Sequence, residues 1–360
     1  MRFLALCLIL LAAPDLGWAE DAIFKVGVTT RDFIPPEPYD WRGATMHALR
    51  VTIWYPAVAD AHEQQQWIGP RIIPLVSTGS AAPDASPAAG LRPLILLSHG
   101  FGGSAATLAW LGAGLAAHGF IAVAVNHPGN NGSERTTVDG YALKWLRALD
   151  LSAVIDAMRA DPNFGNRIDL ARIGAAGHSY GGYTVIAIAG GVTDPERTPA
   201  FCRSPAADAL CTSQQGASEL RQRSLTRLTT DADFRQRYSA AGHSYRDERV
   251  RAVFAMAPGP VPDFTPESLG AISIPVAIVA GSADEIAPPA SGAEALSKTI
   301  PGATLKLFPR AGHFVFFGTC TTVGRLVMRA VCRDVDGADR DAVHAETLRF
   351  ALDFFTAKLH

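Results

Sequence analysis

Gly177-His178-Ser179-Tyr180-Gly181-Gly182 sets a serine among glycines, with the apolar run Ile173-Gly174-Ala175-Ala176 before it and another over residues 183–189 after it. This is G-x-S-x-G at a strand-to-helix turn. On so tight a turn the Ser179 hydroxyl stands clear of the sheet, at the start of a helix. Backbone N–H groups there can receive negative charge developing on a substrate oxygen. The chemistry this permits is nucleophilic attack on a carbonyl carbon. A hydroxyl is a weak nucleophile alone, so a general base must stand beside it and a carboxylate must hold that base.

Such groups need a scaffold that brings distant segments together. Candidate strands are 24–28, 50–55, 93–98, 121–125, 172–176, 251–257, 276–280 and 304–308. Candidate helices are 105–118, 141–160, 182–189, 290–299 and 341–358, the last with Leu348, Ala351, Leu352 and Phe355 on one face. The alternation predicts an α/β fold, a mostly parallel eight-stranded sheet with helices on both faces. Residues 70–93, rich in Pro, Ala, Gly and Ser, read as a surface loop. A polar interruption at 192–247, after the fifth strand, holds Cys202, Cys211 and helical patterns at 218–228 and 231–238. It is expected to form a lid or cap over a pocket, the alternative being a surface ornament stapled by a disulfide.

An elbow of this kind on this sheet resembles the α/β-hydrolase superfamily. That resemblance implies the chain order nucleophile, acid, base, with the base after the last strand. His313 fits, in Pro309-Arg310-Ala311-Gly312-His313-Phe314 directly after 304–308. Asp284 fits as the acid, in the loop after 276–280, with Glu285 in the same loop and Asp263 after the preceding strand as rivals. His178 is next to the nucleophile, but successive residues on a turn point apart, so it reads either as packing or as a support behind the residues that react. The oxyanion donors implied are the N–H groups of Tyr180 and of Phe101, the latter in Ser98-His99-Gly100-Phe101-Gly102-Gly103. Glycines there let backbone approach a substrate, and the Phe101 ring would line the acyl pocket. No P-loop lysine follows that loop, and the dinucleotide fingerprint is absent.

Longer motifs narrow the resemblance. Leu97 through Gly103, Trp110-Leu111, His118-Gly119-Phe120, Asn126-His127-Pro128-Gly129, Ile168-Asp169-Leu170 and Ala280-Gly281-Ser282-Ala283-Asp284 are similar to the bacterial proteins called predicted dienelactone hydrolases. These group with platelet-activating-factor acetylhydrolase-like proteins. Trp54-Tyr55-Pro56 and Gly312-His313-Phe314 also fit, and the match covers most of the chain. In the animal acetylhydrolases the acid follows the sixth strand. Here Met256-Ala257-Pro258-Gly259 offers no carboxylate, which favours Asp284. True dienelactone hydrolases use a cysteine nucleophile, where this chain has Ser179. The chain also resembles secreted polyester hydrolases and cutinases at Phe101 and over 284–288, but Gly259 stands where they carry a clamping tryptophan.

The resemblance implies a serine hydrolase that cleaves carboxylic esters through an acyl-enzyme, acting on a small-molecule ester without cofactor or metal. Lactone, amide or polyester hydrolysis on the same residues is the alternative, and a non-catalytic binding protein on this scaffold the more remote one.

Composition bounds the setting. Residues 1–19 begin Met1-Arg2, continue with an apolar run and end in small residues, which predicts a secretory signal peptide; residues 20–360 form the predicted hydrolase domain. Cys7 lies in that signal, and Leu6 stands where a lipoprotein signal has a small residue. The expected location is therefore exported, periplasmic or secreted, with no stable membrane insertion. A formal net charge of −2 with no basic tract excludes nucleic acid as a partner. Cys202, Cys211, Cys320 and Cys332 allow three pairings; the local ones, Cys202–Cys211 and Cys320–Cys332, are expected. No His stands beside them at zinc-ligand spacing.

Overall fold

Apolar side chains alternate along the central strands and build a core on each face of one sheet. Leu94, Leu96, Val123 and Ile173 face one core; Ile95, Leu97, Ala124 and Ala176 face the other. That period of two, on strands buried on both sides, is what a parallel sheet covered by helices requires. The computed structural model describes residues 24–213, 217–335 and 337–359. The expected signal segment, Cys7 included, lies outside the described residues.

The strands are β1 (Lys25–Phe33), β2 (Leu49–Ala57), β3 (Gln64–Ile68), β4 (Val76–Pro83), β5 (Arg92–Ser98) and β6 (Ile121–Val125). They continue as β7 (Ile168–His178), β8 (Val250–Met256), β9 (Val276–Gly281), β10 (Thr304–Phe308) and β11 (Thr319–Cys320). The order across the sheet is β10-β9-β8-β7-β5-β6-β2-β1-β4-β11, with β3 on β4. From β10 through β6 every neighbouring pair is parallel. One face carries helices Arg147–Ala160, Tyr180–Ala189 and Ala293–Thr299. Ala109–Ala117 and Arg340–Lys358 cover the other.

All eight expected strands form, but among the described residues the sheet has eleven. The stretch read as a loop at 70–93 contains β4, which pairs with β1, β3 and β11. The sequence hid these strands because they lie at the sheet's edge. Gln64–Ile68 is mostly polar and Val76–Pro83 mostly small, so neither shows a clear apolar alternation, although Ile68, Val76 and Cys320 pack together.

The expected cysteine pairs form, Cys202–Cys211 and Cys320–Cys332. The interruption after β7 folds as helices, chief among them Ser218–Thr230 and Ala232–Ser239. Phe234 and Ala241 pack against Val138, Ala142 and Trp145. Arg227 and Arg237 both pair with Asp139, and Arg237 reaches Asp40 as well. The insertion is thus docked onto the body by an apolar contact and a ring of ion pairs. Among the described residues no helix is long and apolar enough to cross a membrane.

Candidate active site

β5 and β7 are adjacent and parallel with Ser98 opposite Gly177, so the loops that follow them leave the sheet at one level. The first loop carries Phe101 and the second carries Ser179. Ser179 sits at φ 59°, ψ −119°, a conformation side chains rarely adopt. The glycines around it are steric necessities. A Cβ on Gly181 would collide with the Ser98 carbonyl, and one on Gly177 with the Gly181 carbonyl. The Ser179 N–H donates to the Met256 carbonyl at 2.9 Å, which ties the strained turn to β8.

β9 and β10 pair with Gly281 opposite Phe308, and they deliver the other two groups. Ala283 N–H donates to the Ala311 carbonyl at 3.0 Å, and Arg310 N–H to Ser282 Oγ at 2.9 Å, so the two loops brace each other. His313 Nδ1 lies 2.7 Å from Asp284 Oδ2, and His313 Nε2 lies 2.9 Å from Ser179 Oγ. A carboxylate only accepts, so Nδ1 carries the proton and Nε2 is free to accept from the serine. The other Asp284 oxygen accepts the N–H groups of Ile286 and Ala287 at 2.9 and 2.8 Å, which fixes the carboxylate. Asp284 and His313 are buried.

The rivals stand elsewhere. Glu285 is exposed. Asp263 is buried against Lys144 Nζ at 2.8 Å, and that carboxylate holds the Lys144 ammonium well above its usual pKa despite burial. Of the two readings of His178, the supporting one fits: its Nε2 lies 3.0 Å from the His313 carbonyl oxygen.

Next to Ser179, the N–H of Gly102 donates to Asn130 Oδ1 at 2.8 Å and that of Gly103 to the Gly100 carbonyl at 3.1 Å. Among the described residues, the N–H groups of Phe101 and Tyr180 have no acceptor. A Cβ on Gly100 would stand 3.2 Å from Ser179 Cβ, which shows how closely that loop approaches the hydroxyl. A cavity of about 150 Å³ opens at Ser179, walled by Phe101, Tyr141, Tyr180, Pro260 and Ile286. Leu210 and Ala217 of the insertion also line it. Phe101 meets Tyr141 and Tyr180 edge to face, at ring distances of 6.1 and 5.5 Å. Tyr141 was legible only as the start of a helix; nothing local marks it as a wall residue. Among the described residues no group of His, Cys, Asp or Glu is placed to hold a metal ion.

The sequence profile of the alpha/beta hydrolase family matches residues 94–319. Over 90 residues the chain is 37% identical to cutinase est1 of Thermobifida alba, covering 24% of this chain and 27% of that protein. It is 34% identical over 90 residues to cutinase 2 of Thermobifida cellulosilytica, covering 24% of this chain and 30% of that protein. The chain thus matches less than a third of the length of these relatives. The solved ferulic acid esterase of Streptomyces cinnamoneus superposes with a TM-score of 0.62 at 22% identity, covering 93% of this chain and 90% of that one.

Proposed function

The chain belongs to the α/β-hydrolase family, and from that premise we propose that it is a serine esterase with Ser179, His313 and Asp284 as its catalytic residues. The supporting observation is the continuous pair of contacts from Asp284 through His313 to Ser179. Ser179 Oγ attacks the ester carbonyl as His313 Nε2 takes its proton. The negative oxygen is received by the N–H groups of Phe101 and Tyr180. His313 then gives the proton to the leaving alcohol, and afterwards draws one from the water that clears the acyl-enzyme. Asp284 stays ionised, holds the imidazole in its tautomer and stabilises the imidazolium.

The substrate class is a small carboxylic ester whose acyl or alcohol part enters an apolar cavity covered by residues 192–247. The disulfides support an oxidising compartment, with residues 1–19 as the export signal. Similarity to cutinases favours a second reading, hydrolysis of a polyester chain. Against it, Gly259 leaves one wall of the cleft without an aromatic clamp, and Leu210 and Ala217 of the insertion add to its lining.

Rates on p-nitrophenyl esters of increasing chain length, set beside release of acid from a polyester film, separate the two. Ser179→Ala should abolish turnover of p-nitrophenyl acetate. Activity above a trace in that variant would sink the assignment.

A further inference from the structure

Ser98, His127 and Asp150 repeat in the interior the atom pattern that Ser179, His313 and Asp284 form at the strand ends. His127 Nε2 lies 2.9 Å from Ser98 Oγ, and His127 Nδ1 lies 2.7 Å from Asp150 Oδ2. Here the surroundings differ. Ser98, His127 and Asp150 are each at most 1% exposed, so no ester reaches Ser98. Asp150 is also gripped by Arg42 Nη2 at 2.6 and 2.7 Å and by the Tyr39 hydroxyl at 2.5 Å.

The cluster opens toward the loop after β5. Arg147 donates to the His99 carbonyl, and its guanidinium lies 5.8 Å from the centre of the Tyr180 ring. The backbone N–H of His127 donates to His99 Nε2 at 3.3 Å, which leaves the His99 proton on Nδ1. That Nδ1–H donates to the Gly100 carbonyl at 2.7 Å. The Gly100 carbonyl and the Phe101 N–H belong to one planar peptide, so fixing the oxygen aims the N–H. The chain of contacts therefore runs from Asp150 through His127 and His99 to the oxyanion donor of the proposed site.

We propose that His127 is a positioning residue for the esterase reaction, holding the Gly100–Phe101 peptide in the plane that points the Phe101 N–H at the oxyanion. This rests on Phe101 being an oxyanion donor in the function proposed above. The arrangement suits the task. Burial keeps His99 and His127 well below the usual histidine pKa, so both are neutral and each ring keeps one donor and one acceptor. Burial lowers the Arg147 guanidinium only to about 9, which leaves it charged at neutral pH beside the His99 carbonyl. A donor held in place before the reaction lowers the barrier because nothing has to reorganise as charge develops.

The test uses the full chain with His127→Asn, His127→Gln and Ser98→Ala, assayed on p-nitrophenyl acetate. Competent sites are counted by labelling to completion with a fluorophosphonate, so that any unfolded fraction drops out. Losing an oxyanion donor outright costs about 100- to 1,000-fold in kcat, so a misaimed one should cost about 10-fold per labelled site in His127→Asn. KM should stay within about twofold, while affinity for phenylboronic acid, which forms a tetrahedral adduct, falls by the same factor as kcat. His127→Gln, which keeps an acceptor for the Ser98 hydroxyl, should recover part of the loss. Ser98→Ala, a small truncation that the core tolerates, should show the same signature at about threefold, and it decides the matter if the His127 variants do not fold. Unchanged kcat per labelled site in the folded variants overturns the proposal and leaves the Ser179 assignment standing. Fluorophosphonate found on Ser98 in a Ser179→Ala background overturns both.

Discussion

His178, the residue before Ser179, donates from Nε2 to the backbone carbonyl of His313 at 3.0 Å, with the two rings 4.8 Å apart. The turn that presents the hydroxyl thereby also anchors the loop that presents the imidazole. A carbonyl only accepts, so the His178 proton is on Nε2. Burial first, and then the neighbouring His313, push His178 down to about 3, so it is neutral where an esterase would work. That neutrality matters to the proposed mechanism, since a charged His178 would oppose an imidazolium on His313. His178→Leu keeps the packing and removes the tether. It should lower kcat on p-nitrophenyl acetate about 10-fold with little change in KM, because alignment rather than substrate binding is lost. Steady-state kinetics decide, and a change confined to KM would refute this role.

Asp284 and Asp263 are both buried carboxylates after parallel strands, yet they predict opposite phenotypes. Asp284→Asn should cut kcat by about 10⁴-fold with the fold intact, because the amide favours the wrong imidazole tautomer. Asp263→Asn strands the Lys144 ammonium, whose side chain is only 13% exposed. It should cost about 3 kcal/mol in denaturant unfolding, with kcat per folded molecule within about threefold. Exchange of the two phenotypes would mean that the acid had been misassigned.

Acid should weaken the fold through its buried imidazoles. His178 is lowered to about 3 and His344 to about 4, both chiefly by burial. The folded pKa lies below the unfolded value of about 6.5, so between them the unfolded chain binds more protons. Stability is therefore complete above about pH 6.5 and falls as pH drops toward 4 and then 3, by up to about 1.4 kcal/mol per pH unit for each group. Replacing His344 with Gln, which can still donate to the Val315 carbonyl, should shrink that slope. Urea unfolding at pH 7, 6, 5 and 4 measures it, and a flat profile would contradict the sign.

Cys202–Cys211 closes a short loop next to Leu210, one wall of the cavity at Ser179. Loop closure of this length is worth about 2–3 kcal/mol to the segment it constrains. The Cys202→Ser/Cys211→Ser double variant should loosen the cover and raise the rate on p-nitrophenyl octanoate relative to acetate. An unchanged ratio would show that the 192–247 segment is an ornament rather than a lid.

The elbow was legible in the sequence because its geometry is local. Only glycine tolerates the close backbone contacts at positions 177 and 181, so the residue types themselves report the turn. The strands of the sheet's centre were legible for a related reason: burial on both faces demands long apolar runs. The two disulfides followed from proximity along the chain. The edge strands and Tyr141 were not legible, because their environment comes from segments far away in sequence. Nor were the partners of His178 and His127, since His313, Ser98 and Asp150 lie 23 to 135 positions distant from the histidines they meet. Residue type and spacing alone determined which groups could react. Only the tertiary fold decided which of Asp263, Asp284 and Glu285 meets His313, and that one Ser-His-Asp set opens on a cavity while the other lies sealed in the core. Reactivity depends on distance and solvent access, and both are set by packing between segments that the sequence keeps apart.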